Sequence, residues 1–145
     1  MFSRRYRIGC RVPVRTIMTV RVVRLGSPRL PDEGLRIGTV RRPPRGVPKA
    51  EFASRNYYDT WLPTLSPSAE TVKLGLNMKS DREWAKFVKR YRAEMARPEP
   101  SATLSLLAAM SHHANFSVGC YCEDEARCHR SVLRELLRER GANLK

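Results

Sequence analysis

Several common signals are missing from this sequence. None of the apolar runs in its 145 residues approaches the roughly 18–20 residues that a helix needs to cross a bilayer. There is no glycine-rich phosphate loop, no internal repeat, no convincing Ser–His–Asp order and no pair of carboxylates at catalytic spacing. These absences argue against a membrane-spanning protein, a P-loop enzyme, a repeat protein, a serine hydrolase and a glycosidase.

Acidic residues are also scarce. The chain has 14 of them against 28 lysines and arginines, which gives a net charge of +14. Residues 1–50 contain 13 of the basic residues but only Asp32 and Glu33 as acids. Such a lopsided surface favours anionic partners, either a phosphate-bearing small molecule or nucleic acid. The alternative is a basic surface that serves solubility alone.

Cysteine occurs at four positions: Cys10, Cys120, Cys122 and Cys128. A secreted scaffold held by disulfides would be shorter and richer in cysteine. The three clustered residues instead predict a site in a reducing compartment, and we therefore expect a cytoplasmic protein without a membrane anchor.

The first 17 residues are rich in arginine, lack acids and are followed by Met18. We interpret residues 1–17 as a basic extension, either loosely ordered or arising from a misannotated upstream start. Residues 18–145 then form one domain, which is long enough to bury a core without disulfides.

Hydrophobic periodicity predicts the order strand, strand, helices, strand, helix. We expect strands over 19–24, 35–40 and 116–122, and a helix over about 129–140. A capping box at Ser80–Glu83 starts the clearest helix, Pro98 and Pro100 are expected to end it, and Ser101 to cap the next. The order predicts a small single-domain layered α/β fold, in which helices flank a short, mainly parallel sheet.

The segment Ser117–Arg130 combines a strand, a loop and a helix start, the place where open α/β sheets bind ligands. Cys120 and Cys122, two residues apart on the predicted strand, should face the same side. We expect Cys122, Cys128 and His129 to converge there. Three interpretations remain open for this segment.

In the first interpretation, Cys128 or Cys122 is a reactive thiolate whose pKa is lowered by the helix start and nearby cations. In the second, Cys120, Cys122, Cys128 and His129 bind zinc, although paired C-x-x-C motifs are absent. In the third, these are small buried residues of the core.

Beyond this segment, Arg41, Arg45 and Lys49 lie in a proline-rich loop that would hold an anion at low entropic cost. Together with Arg130 they would form a phosphate pocket if the two segments meet. Our leading hypothesis is a domain that binds a phosphate-bearing or nucleotide-like ligand, with chemistry supplied by Cys122, Cys128 and His129. The alternative is a nucleic-acid-binding module with a structural or zinc-binding cysteine cluster.

Three stretches of the sequence resemble the domain-of-unknown-function 488 family, also called the YeaO-like proteins. They are Gly34–Lys49, the region from Trp61 to Glu94 with Ser66-Pro67-Ser68, and the segment C-Y-C-E-D-E-A-R-C-H-R-S-V-L, which is similar to the cysteine-bearing branch. Val40 and Pro43 depart from the family pattern, where an acid and an aromatic residue are usual. The resemblance implies a compact α/β domain of the bacterial or archaeal cytoplasm and does not imply a reaction.

Overall fold

The structure is a computed structural model that describes residues 16–145, so most of the predicted extension (residues 1–15) lies outside the described residues. Within the described part, the strands are β1 (Val20–Arg24), β2 (Leu35–Gly38), β3 (Thr60–Trp61) and β4 (Phe116–Cys120). The helices are α1 (Ala69–Leu76), α2 (Asp81–Met95), α3 (Pro98–Met110) and α4 (His129–Glu139).

The four strands form one parallel sheet in the order β1-β4-β2-β3, which confirms the predicted α/β class. Val118 of β4 lies opposite Val22 on one side and Ile37 on the other. All five residues of β4 are buried, as expected for an inner parallel strand. The carboxyl ends of β1, β4 and β2 therefore meet at one edge of the sheet.

One face of the sheet carries the main core. Alternate strand residues such as Val118 and Ile37 pack there against Tyr91 of α2, Leu104 of α3 and Leu133 of α4. The apolar stripes of the three helices cover this face, which fixes the position of α4 relative to the end of β4. The described residues contain no helix long and apolar enough to span a membrane.

On the other face, a pair of glycines creates space for packing. Gly38 and Gly119 lie opposite each other in β2 and β4. A Cβ atom on Gly38 would lie 2.4 Å from the ring of Tyr58, and one on Gly119 would lie 2.7 Å from Leu25. Tyr58 and Leu25 belong to a second, smaller cluster with Val40, Cys120 and Cys128.

Two local predictions have different outcomes. The capping box is confirmed, since Ser80 Oγ accepts from the Glu83 amide and the Glu83 carboxylate accepts from the Ser80 amide. The predicted start of α3 at Ser101 is wrong, because the helix begins at Pro98 after Arg97. Prolines fit the first turn of a helix, where no intrahelical N–H bond is lost.

Candidate functional site

The candidate site lies where β4 ends and α4 begins, at the carboxyl edge of the sheet. The prediction that the strand continues to Cys122 is wrong, because β4 ends at Cys120. A loop over residues 121–128 follows, which includes a short 3₁₀ turn at Glu125–Arg127. The loop brings Cys122 back towards Cys120, so the two thiols meet although they do not share a strand.

The three thiols of the segment are in contact. Cys120 Sγ lies 3.7 Å from Cys122 Sγ. Cys120 and Cys128 are buried, whereas Cys122 is exposed. The pKa of Cys122 is lowered by hydrogen bonds from the thiols of Cys120 and Cys128, with help from the charge of Arg130. The pKa of Cys120 is raised by the same contacts and by burial.

His129 is held in one orientation beside these thiols. Its Nε2 lies 2.9 Å from the carbonyl oxygen of Thr39, which can only accept, so Nε2 carries the proton. Burial lowers the pKa of His129 to about 4, and the ring is neutral near pH 7. Its Nδ1 therefore presents a lone pair, 3.8 Å from Cys128 Sγ. The His129 ring also packs against Tyr91 in a T-shaped arrangement, with ring centroids 5.5 Å apart.

Ligand atoms of Cys120, Cys128 and His129 all lie within 4.8 Å of one another. All three residues are buried, and thiolate and imidazole are the donors that zinc prefers in proteins. These three residues could hold one metal ion, and Cys122, whose sulfur lies 3.7 Å from that of Cys120, could complete the ligand set.

Arg130 is a buried residue that contacts the loop over residues 121–128 from the protein interior. It is only 4% exposed, and its Nη2 donates to the carbonyl oxygen of Cys122. Its Nε is buried and has no partner, and no carboxylate among residues 16–145 forms an ion pair with it. Its guanidinium is thus directed at the cysteine loop rather than at solvent.

The acids of the loop are largely neutralised. Glu123 pairs with Arg24 at 3.3 Å and Glu125 with Arg134 at 2.8 Å. Asp124 accepts from the Ala126 amide and caps the 3₁₀ turn. Two of the three carboxylates near the thiols therefore have arginine partners, which reduces their repulsion of an approaching anion.

The predicted basic loop meets the cysteine segment. The hydroxyl of Tyr121 donates to the carbonyl oxygen of Arg42 at 3.0 Å, and the Thr39 carbonyl holds His129. Val40, which follows Thr39, packs in the cluster that contains Cys120. The loop that starts at Arg41 therefore begins beside the thiols, a juxtaposition that sequence reasoning left open.

The cations of this loop differ in their surroundings. Arg42, Arg45 and Lys49 are exposed, and neither hydrogen bonds nor ion pairs of their side chains are found in the described part of the chain. The guanidinium of Arg41 instead donates to the carbonyl of Pro67 at 3.0 Å. It lines a cavity of about 550 Å³ that also borders Arg97, and no residue of the cysteine segment lines that cavity.

Two neighbours of the site escaped sequence reasoning. Thr39 acts through its backbone carbonyl, which no sequence pattern marks. Tyr58 is buried in the cluster that contains Cys120 and Cys128. Its buried hydroxyl has no hydrogen-bond partner in the described part of the chain, and burial raises its pKa. Gly38, which leaves no room for a side chain beside the Tyr58 ring, is the feature that places it there.

These features define a small α/β domain with a Cys/His cluster at a strand–helix junction. A family model described as "Active DUF488-N3 subclade" matches residues 20–141, and the chain belongs to the DUF488 family. No curated protein and no solved structure matches it significantly.

Proposed function

We propose that this protein is a cytoplasmic enzyme that binds a phosphate-bearing or nucleotide-like anion where the basic loop and the cysteine segment meet. The observation that carries the proposal is the junction itself, formed by Tyr121 on Arg42 and by His129 on Thr39. It places the exposed cations beside a cluster of chemically reactive side chains.

The basic loop supplies the binding energy in this proposal. Pro43, Pro44 and Pro48 restrict its backbone, so little entropy is lost when its side chains grip a ligand. Arg45 and Lys49 are free to bind an anion, and an arginine can bind phosphate through two parallel hydrogen bonds. Arg41 would extend this surface towards its own cavity, and Arg130 adds positive charge beneath the site.

The cysteine segment supplies the chemistry in this proposal. Cys122 is the exposed sulfur of the cluster and the one that a substrate on the basic loop would reach. Cys128 and His129 are the buried members of the cluster, with Cys128 Sγ 3.8 Å from His129 Nδ1. The description of the matched subclade as active supports an enzyme rather than a purely structural domain.

Calorimetric titration with inorganic pyrophosphate tests the binding site. We expect saturable binding to the wild type that weakens at least about tenfold in an Arg42→Ala/Arg45→Ala variant, because a hydrogen bond to a charged group contributes about 1.5–3 kcal/mol. Lys86→Ala/Lys89→Ala, which removes two exposed cations of α2, is the matched control. Equal affinity in the loop variant and the control would refute the proposed site.

A nucleic-acid-binding module is the second candidate, favoured by the unpaired cations of the loop and the net charge of +14. It predicts binding of a single-stranded oligonucleotide with a steep salt dependence, since each phosphate contact releases counterions. Fluorescence anisotropy of a labelled oligonucleotide, measured at low and at moderate salt, distinguishes the two candidates. A nucleic-acid-binding module should bind the oligonucleotide at low salt and lose affinity steeply as salt rises. A site for a small anion should not bind the oligonucleotide, and its affinity for pyrophosphate should depend little on salt.

A further inference from the structure

We infer that Cys120, Cys122, Cys128 and His129 together bind one zinc ion at the end of β4. The inference rests on the proposed function for the role of the site and specifies it, because the Cys122 sulfur that a substrate would reach is then a zinc-bound thiolate. Three independent features of the structure support it.

The first feature is the spacing of the ligand atoms. In a tetrahedral site with Zn–S bonds of about 2.3 Å, two sulfurs are separated by roughly 3.8 Å. The sulfurs of Cys120 and Cys122 lie 3.7 Å apart. A Zn–N bond of about 2.0–2.1 Å gives a sulfur–nitrogen separation of roughly 3.6 Å. Cys128 Sγ lies 3.8 Å from His129 Nδ1, close to that value.

The adjacency of Cys128 and His129 does not prevent both from facing one ion. Cys128 has an extended backbone with φ −123° and ψ 152°, whereas His129 is the first residue of α4. The change of backbone conformation between them turns both side chains towards Cys120, within 4.8 Å of its sulfur. A sequence search based on C-x-x-C pairs misses such a site.

The second feature is the hydrogen bond behind the histidine. Metal-bound histidines almost always donate their other ring N–H to a carbonyl or carboxylate, which fixes the tautomer and the ring plane. His129 does so through Nε2 to Thr39, and its Nδ1 faces the sulfurs. The lone pair is thus presented on the side where the ion would lie.

The third feature is the charge balance. Zinc with three thiolates and one imidazole carries a net charge of about −1, because the ion contributes two positive charges. A buried charge needs a partner, and Arg130 is a buried cation without a carboxylate in the described residues. It donates to the carbonyl of Cys122, directly beside the proposed centre.

The donor set favours zinc over other ions. Thiolates and imidazole in a tetrahedral arrangement are typical of zinc, whereas calcium and magnesium require oxygen ligands. The nearby carboxylates of Glu123 and Glu125 are occupied by arginines. We therefore expect no competing oxygen site in this loop.

Metal analysis of the full chain, purified without chelators, tests the inference. We expect one zinc per chain in the wild type, and less than a tenth of that in Cys128→Ser and His129→Gln. The matched controls are Cys10→Ser, at a position outside the described residues, and His113→Gln, at an exposed histidine. Both controls should retain one zinc. Unchanged zinc content in Cys128→Ser and His129→Gln would overturn the site.

A second measurement covers the case in which the buried variants do not fold. The wild type is stripped of metal and titrated with Co²⁺ under reducing conditions, and thiolate-to-cobalt absorption should reach saturation at one equivalent. Cys122→Ser, a change at an exposed position, should lower this absorption in proportion to one of three thiolates. A wild type that contains no zinc and develops no such absorption would refute the inference.

The two proposals can fail separately. Loss of pyrophosphate binding in the Arg42→Ala/Arg45→Ala variant with zinc retained supports both. Zinc binding without any pyrophosphate binding in the wild type supports the metal centre and refutes the anion site.

Discussion

Two buried arginines have very different surroundings in this protein. Arg36, in β2, is completely buried, and all of its donor groups are engaged. Its Nε and Nη2 donate to the carboxylate of Glu33 at 2.7 and 3.0 Å. Its Nη1 donates to the carbonyls of Ser27 and Asn56 at 2.8 and 2.7 Å. Its charge and its hydrogen bonds are satisfied within the fold.

Arg130, at the start of α4, is almost as deeply buried but is only partly satisfied. It donates to one backbone carbonyl, that of Cys122, and its Nε has no partner among residues 16–145. Buried polar groups are nearly always paired, so the unpaired arginine marks a place where something else completes the site. The comparison separates a structural arginine from one that serves the cysteine segment.

The largest expected loss of stability comes from breaking the buried ion pair of Arg36 and Glu33. Glu33→Gln leaves Arg36 buried without its counter-charge, which should lower the free energy of unfolding by about 3–5 kcal/mol. Urea denaturation measures the loss. Glu70→Gln is the matched control, because Glu70 and its partner Arg90 are both exposed at the surface. It should cost less than about 1 kcal/mol. A similar loss of unfolding free energy in both variants would contradict the distinction between the buried and the surface ion pair.

Acid should weaken the same pair progressively. Burial alone would raise the pKa of Glu33, but hydrogen bonds from Arg36 and Ser117 outweigh it and the pKa is lowered. A carboxyl with a lowered folded pKa stabilises the protein fully above its unfolded value of about 4.3 and loses this contribution as the pH falls through the folded pKa. The stability difference between wild type and Glu33→Gln should therefore shrink between pH 5 and strongly acidic pH, measured by urea midpoints. A constant difference would show that the carboxylate charge is not responsible.

Substitution of Arg130 should lower the stability of the protein least. In metal-free protein, Arg130→Met removes one hydrogen bond but also an unpaired buried donor, and we expect a net loss of about 1 kcal/mol or less. Arg36→Met, which strands Glu33, is the counterpart and should cost several times more. Thermal and urea unfolding of the two variants give the comparison. If Arg130→Met lowered the free energy of unfolding as much as Arg36→Met does, both arginines would be structural, and the comparison would fail.

Local patterns in the sequence predicted much of the fold. The capping box of Ser80 and the stripe of α2 depend on neighbours three or four residues apart, so α2 could be located closely. The start of α3 was misplaced because proline was interpreted as a breaker, although it fits the first helical turn. The two-residue strand β3 has no pattern of its own and forms only because β2 pairs with it.

The candidate site was predictable only in part. The residue types of the segment from Cys120 to Arg130 identified it as chemically unusual. Its contact with the basic loop could not be predicted, because Thr39 and His129 are 90 positions apart and meet only when β2 and β4 pair. The burial of Arg130, which changes its role from exposed ligand to internal support, likewise depends on the packing of α4.

The central claim is that the basic loop and the cysteine segment form one anion-binding centre. The most direct test is a backbone amide NMR titration of the ¹⁵N-labelled protein with inorganic pyrophosphate. We predict saturable shifts in both residues 41–49 and residues 121–130, with the amides of Gly34 and Arg36 as the unperturbed internal reference. Shifts confined to one of the two segments, or absent from both, would contradict the account.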